Sequence, residues 1–249
     1  MNKSGSFLAS LYGRMIRKTL KMEESDEKMI KRYMYLFSGL FLCALGMVMT
    51  INAELGYAPW DVFHKGLSNI FHTTIGTSNI ITGIVILLVQ VIFGEKPGIG
   101  TLCNMILIGV FMNIIMSSGL IPVFNSFTPS LIMMIIGMII LGIGTYFYIA
   151  SQLGAGPRDS LMIMFIKKTN KSVRFVKNSM EITILIIGYL LGGPVGIGTL
   201  IMSVGMGYIL QFIFKIFKFD TREVRHRLID EDIRALKNIV FNSRKKANS

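Results

Sequence analysis

Six stretches of this chain, near 34–53, 77–93, 99–119, 130–150, 177–193 and 197–217, are almost free of charge and rich in Ile, Leu, Met, Phe and Gly. A helix rises 1.5 Å per residue, so about 20 such residues cross a hydrocarbon core of roughly 30 Å. Backbone amides inside that core must bond within their own segment, which a helix achieves. Composition agrees: 52% of the 249 residues are hydrophobic and 16% charged, with mean hydropathy +0.58, whereas soluble domains run to about 25% charged. The expectation is an all-α, polytopic helical membrane protein in contact with the lipid bilayer.

The net charge of +12 raises nucleic-acid binding as a competing explanation, and its distribution answers it. Residues 1–33 carry eight basic and four acidic side chains, 34–214 eight and five, and 215–249 ten and five. The excess sits mainly in the tails, where Lys and Arg hold cytoplasmic segments inside and attract anionic lipid headgroups. No basic motif interleaved with aromatics and no zinc spacing is present, so no nucleic-acid partner is expected. Phe7, Leu8, Leu11 and Met15 among Arg14, Arg17 and Lys18 suggest an interfacial arm over 1–33. Val224, Leu228, Ile229, Ile233 and Leu236 suggest an amphipathic cytoplasmic tail helix within 218–249. No cleavage site follows the first apolar window, so the chain is expected to be inserted whole. Cys43 and Cys103 lie in apolar windows and read as small core residues.

Sliding the sequence on itself by 98 positions aligns 39–113 with 137–211 without a gap. Gly39 meets Gly137 and Gly46 meets Gly144. Leu55-Gly56-Tyr57-Ala58-Pro59-Trp60-Asp61 meets Leu153-Gly154-Ala155-Gly156-Pro157-Arg158-Asp159, and Gly98-Ile99-Gly100-Thr101 meets Gly196-Ile197-Gly198-Thr199. Apolar composition alone does not place Pro, Asp and several Gly in one register. We expect two three-span repeats, over 34–121 and 122–217. Three crossings is an odd number, so the second repeat would be inverted relative to the first. The basic connection holding Lys167, Lys168, Lys171 and Arg174 then lies inside with both termini. The segments near 58–73 and 156–172 are too short to cross and suggest re-entrant or interfacial helices. If both crossed, eight spans and parallel repeats would follow; six is the preferred reading.

The Pro-x-Asp units have a local explanation. Pro59 and Pro157 suit the first helical position, and Asp61 and Asp159 complement the positive end of the helix dipole. These residues cap two short helices in the structural reading. In the functional one, the two helix ends meet near the repeat axis and form a substrate or ion site, because an ionisable group at membrane depth is a functional candidate. Trp60 and Arg158 are the unequal members of the matched motif and would set substrate charge or shape, unless Arg158 simply pairs with an aspartate. His64 is a proton carrier near Asp61 or, on the blander reading, a solvated interfacial residue. His64 and His72 are too far apart on one helix to share a metal, and no metal or cofactor is expected. Glu181, near Lys177, is a relay candidate or half of an ion pair. Thr101 and Thr199 open two spans, where they cap their helices or face a site. Asn113 and Gln211 occupy matched positions and face a cavity or bond across helices. Gly94-Glu95-Lys96-Pro97-Gly98-Ile99-Gly100-Thr101 has its Lys misplaced for a phosphate loop.

Gly56-Tyr57-Ala58-Pro59-Trp60-Asp61, Gly98-Ile99-Gly100-Thr101 and Gly154-Ala155-Gly156-Pro157-Arg158-Asp159 resemble the motifs of the YczE/YyaS/YitT group of bacterial integral membrane proteins, and most of all its YczE-like branch. The similarity covers about 34–215. Ala58 stands where the family motif has glycine. The resemblance implies a multi-pass inner-membrane protein with a loose link to export. No nucleophile elbow or His-rich cluster suggests an enzyme. We therefore expect a secondary transporter or exporter of a small organic solute, with homo-oligomerisation open. The alternative is a non-transporting membrane subunit or scaffold that binds a small molecule or docks a cytoplasmic partner through its tails.

Overall fold

The computed structural model describes residues 29–95 and 97–219, Arg174 in its backbone alone. The described residues form helices α1 (Met29–Asn52), α2 (Pro59–Phe71), α3 (Ile75–Ile92), α4 (Ile99–Ser118), α5 (Phe127–Ala150), α6 (Pro157–Thr169), α7 (Val173–Leu190) and α8 (Ile197–Ile216), with no strand among them. The expected interfacial arm and tail helix lie almost wholly outside the described residues.

Five helices, α1, α3, α4, α5 and α8, are long and apolar enough to cross a membrane. The fifth apolar window behaves differently from expectation. Its helix, α7, starts at Val173 rather than Lys177 and so takes in Arg174 along with Lys177 and Glu181. A helix with that polar first half does not qualify as a span on composition alone; its environment must compensate for the charges.

The short helices are built as their motifs dictate. Proline opens each, aspartate stands in the first turn, and His72 (φ 50°) and Asn170 (φ 53°) end them in the left-handed conformation. Each has 13 residues and is about 20 Å long, short of a bilayer core of roughly 30 Å. Helix boundaries recur 98 positions apart in four pairs, α1 with α5, α2 with α6, α3 with α7 and α4 with α8.

The pairing of α1 with α5 depends on glycine. A Cβ on Gly39 would sit 2.8 Å from the Gly144 carbonyl oxygen, and one on Gly46 would sit 2.6 Å from that of Gly137. Positions rising along α1 meet positions falling along α5, so the two helices run antiparallel and nearly touch backbone to backbone. Both ends agree: Arg32 donates to Gln152 Oε1 at 3.2 Å, and Asn52 donates to the Ile121 carbonyl at 2.8 Å. Leu36, Leu40, Val48 and Ile51 of α1 pack with Met112 and Ile115 of α4, while Met134 and Met138 of α5 pack with Met202 of α8.

A second junction is an exchange of loops. Gly56 (φ 108°) and Gly154 (φ 139°) adopt conformations that side chains resist, and both press on a helix start far away in sequence. Gly198 N–H donates to the Leu55 carbonyl at 2.6 Å, and Gly100 N–H donates to the Leu153 carbonyl at 2.8 Å. These bonds satisfy amides at helix N-termini that have no intrahelical partner.

The packing of the paired helices is unequal. Gly76 of α3 and Gly109 of α4 touch so closely that a Cβ on either would overlap the other's carbonyl oxygen, whereas Gly207, at the position matching Gly109, faces open space. Helix α3 lies along α4; α7 packs on α2 and α6 and makes no comparable contact with α8.

Candidate functional site

Between α1, α3, α4, α5, α6, α7 and α8 lies a cavity of about 300 Å³ that Trp60 and His64 of α2 also line. The close α1/α5 crossing sets one wall, through Cys43, Met47, Leu141, Thr145 and Tyr148. The start of α6 sets another. Pro157 is buried and its carbonyl accepts from Gln90 Nε2 at 2.5 Å, while Gly156 N–H donates to the Tyr148 hydroxyl. These two bonds fix the helix start from which Arg158 and Asp159 project.

Arg158 is the centre of the site. Its Nη2 donates to Asn79 Oδ1 at 2.7 Å and lies 3.5 Å from both ring nitrogens of His64. Its Cζ stands 4.9 Å from the centroid of Trp60, inside the range of a cation–π contact. Pairing of Arg158 with an aspartate does not occur: among the described residues it forms no ion pair with Asp61 or Asp159. Asn79 of α3 takes the bond instead.

The two aspartates are not equivalent. Asp61 is 3% exposed, lies 3.6 Å from His64 Nδ1, and its Oδ1 has no hydrogen-bond partner among the described residues. It sits behind His64 and does not line the cavity, whereas Asp159 lines the cavity and keeps exposed surface. His64 itself is fully buried, which overturns the reading of a solvated interfacial residue. Helix α7 turns this face of α2 inward: Gly188 meets the backbone of Phe63.

Glu181 lines the same cavity with Lys177, their charged atoms 4.0 Å apart. Lys177 and Glu181 of α7 thus face the cavity and each other, which compensates for these two charges.

Other candidates lie elsewhere. Thr101 Oγ1 donates to the Ala155 carbonyl at 2.6 Å and accepts from Gly98 N–H at 3.1 Å, while Thr199 Oγ1 accepts from Gly196 N–H at 3.2 Å. Both are buried joints outside the cavity. Asn113 bonds Thr77 across α3 and α4 at 3.3 Å, and Gln211 is exposed on α8; neither lines the cavity. Pro59 is buried at the start of α2 and acts as a helix opener.

Asn79, Thr82 and Gln90 were missed by sequence reasoning. All are buried, and with Gly83 and Ile86 they form one face of α3. The signal was present: three polar residues at helical spacing inside an otherwise apolar span.

Fold and site together define a polytopic helical membrane protein with a charged internal cavity. The chain belongs to the family of unknown function DUF6198, which it matches over residues 30–215. It is 39% identical over 188 residues to the uncharacterized membrane protein YczE of Bacillus subtilis, covering 75% of this chain and 86% of that one. An uncharacterized protein of Haemophilus influenzae is 32% identical over 181 residues, covering 73% and 82% respectively. The uncharacterized protein YyaS of Bacillus subtilis is 28% identical over 186 residues, covering 74% and 92%. No solved structure matches the chain.

Proposed function

We propose that this chain is a secondary transporter of a small organic solute, not an enzyme. In this reading it consists of two inverted repeats of three crossings, with α2 and α6 re-entering the bilayer from opposite sides. The observation that carries the reading is the composition of the cavity wall. It recruits matched positions of the two halves: Trp60 with Arg158, Asn79 with Lys177, Gly83 with Glu181, and Ile108 with Met206. A site at the interface of inverted repeats, beside the ends of interrupted helices, is where transporters of this architecture hold their cargo.

The antiparallel α1 and α5 support inversion. An even number of crossings must separate the end of α1 from the start of α5, so one of α2, α3 and α4 turns back. At 13 residues α2 is the one too short to cross. The basic residues Lys167, Lys168 and Lys171 support a reading in which their end of the bundle, with both termini, faces the cytoplasm of a bacterial cell. The unequal packing of α3 on α4 and of α7 beside α8 supplies the asymmetry that alternating access requires. Exchange of the two arrangements would move the cavity opening from one side to the other.

Single cysteines at Asn69, Ser126 and Ser172, in a chain with Cys43 and Cys103 replaced by alanine, test the topology with an impermeant thiol reagent on intact cells. Ser68 is unsuitable because it is buried and donates to the Thr73 carbonyl at 2.7 Å. Labelling at Asn69 and Ser126 with protection at Ser172 is expected; labelling at Ser172 from outside would overturn the inverted arrangement. Counterflow in proteoliposomes tests transport. A chain that exchanges no solute, yet holds a soluble partner through its C-terminal tail, would be a docking subunit instead.

A further inference from the structure

We propose that the central cavity recognises a small zwitterion, a molecule carrying a carboxylate and an ammonium group a few bonds apart. The proposal rests on the transport reading in taking this cavity as the seat of the solute.

Four acidic or basic side chains besides His64 line the cavity: Arg158, Asp159, Lys177 and Glu181. Lys177 and Glu181 face one another at 4.0 Å and largely cancel. Arg158 and Asp159 remain. The guanidinium engages Asn79 and, at 3.5 Å, the His64 ring through Nη2 alone, rests one face on Trp60 and meets no carboxylate among the described residues. It has five N–H donors in a planar fork, the arrangement that grips a carboxylate through two parallel bonds. Asp159 lines the same space with neither an ion pair nor a hydrogen bond to another described residue. Because the two are consecutive in the first turn of α6, the groups they would hold belong to one small molecule.

A third feature points to a ligand. Thr82 is 8% exposed and lines the cavity, and its hydroxyl has no hydrogen-bond partner among the described residues. A buried polar group without a partner costs free energy that a ligand oxygen or nitrogen would recover. Charge decides the class. A simple anion would face Asp159 and Glu181, and a simple cation would face Arg158 and Lys177; only a molecule with both signs meets complementary groups at each end. The volume of about 300 Å³ is at the small end of ligand sites, which limits the apolar part.

Trp60 is the single tryptophan of the chain and lies against Arg158, so its fluorescence reports on the site directly. The test titrates the purified full-length protein in detergent with each standard α-amino acid, its N-acetyl derivative and its primary amide. Thermal melting serves as a second readout of binding. At least one amino acid is expected to give a saturable change in emission and a rise in melting temperature. Its two derivatives, each lacking one charge, are expected to bind at least about tenfold more weakly. Arg158→Gln and Asp159→Asn should each lose the melting shift. Should either fail to fold, the comparison of derivatives on the unaltered chain still decides. No saturable response to any amino acid, or derivatives that bind as tightly as their parents, would overturn the proposal. Counterflow with the same compounds separates it from the transport reading. Binding without exchange would remove transport and leave the zwitterion site, whereas exchange of singly charged solutes alone would do the reverse.

Discussion

The guanidinium of Arg158 lies over the indole of Trp60, Cζ 4.9 Å from the ring centroid, and the two residues stand 98 positions apart, each between the proline and the aspartate of a Pro-x-Asp unit. What faces what at the centre of the molecule is therefore a pair of positions that sequence alignment makes equivalent and chemistry makes unlike. Trp60→Leu should remove the platform under the charge, a contact of about 0.5–2 kcal/mol. The check is a double-mutant cycle with Arg158→Lys, read from thermal melting. Expected is a melting loss for Trp60→Leu that shrinks when Arg158 is already lysine; additive losses would mean that the two residues do not interact.

Gly109 and Gly207 occupy matched positions, and the structure treats them differently. A Cβ at Gly109 would lie 2.4 Å from the Gly76 carbonyl oxygen, while one at Gly207 meets nothing within 4 Å. Gly109→Ala should cost about 1–3 kcal/mol by overpacking, and Gly207→Ala should be neutral or stabilising by up to about 1 kcal/mol through helix propensity. Melting temperatures of the two purified variants measure the contrast. Equal losses would place Gly207 in a contact that the structure lacks.

The Thr101 hydroxyl ties the start of α4 to the loop before α6 through the Ala155 carbonyl, 54 residues away. Thr101→Val keeps the shape and removes both hydrogen bonds, leaving the buried Gly98 N–H without its acceptor and the Ala155 carbonyl with only the 3.4 Å bond from Ser160 Oγ, at a cost of about 1–3 kcal/mol. Thr101→Ser should recover most of it. Thr199→Val, which loses its bond from Gly196 N–H, should cost less, and the order of the three melting temperatures is the measurement.

Lys167 reaches Glu95 at 2.8 Å, with side chains 58% and 30% exposed. An ion pair in such a setting contributes about 0–1 kcal/mol. Glu95→Gln should therefore shift melting less than Thr101→Val does, and raising the salt concentration should erase the difference from the unaltered chain.

Asp61 and His64 form a buried couple behind the cavity, their polar atoms 3.6 Å apart. If this couple carries the coupling proton, proteoliposomes should accumulate solute under an inwardly directed proton gradient. Asp61→Asn, which cannot exchange a proton at that site, should abolish accumulation. Gradient-driven uptake that persists in Asp61→Asn would assign coupling elsewhere or to another ion.

Much of the fold was legible before any coordinates. Hydrophobic windows located the long helices because helix formation in lipid is a local necessity, each segment having to satisfy its own backbone. Pro59 with Asp61 and Pro157 with Asp159 located the short helices to within two or three residues of their observed bounds at 59–71 and 157–169. The register of 98 anticipated boundaries that recur in four helix pairs.

The site was legible only in part. Sequence put Trp60, His64, Arg158, Asp159 and Glu181 on the candidate roll, and all of them line the cavity. It did not separate them from Thr101, Thr199, Asn113 and Gln211, which sit at joints, at a helix contact or on the surface. Nor did it find Asn79, whose bond to Arg158 spans 79 residues of chain. The physical reason is one of range. Hydrophobicity, helix openers and turn glycines act over a few residues, so the sequence by itself determined the elements, their lengths and their twofold recurrence. Which faces meet depends on where α1 crosses α5 and where α7 settles beside α2, and those placements follow from backbone contacts at Gly39, Gly46, Gly144 and Gly188. Only that tertiary packing turned Arg158 toward Trp60 and Asn79, buried His64, and left Asp159 facing the cavity.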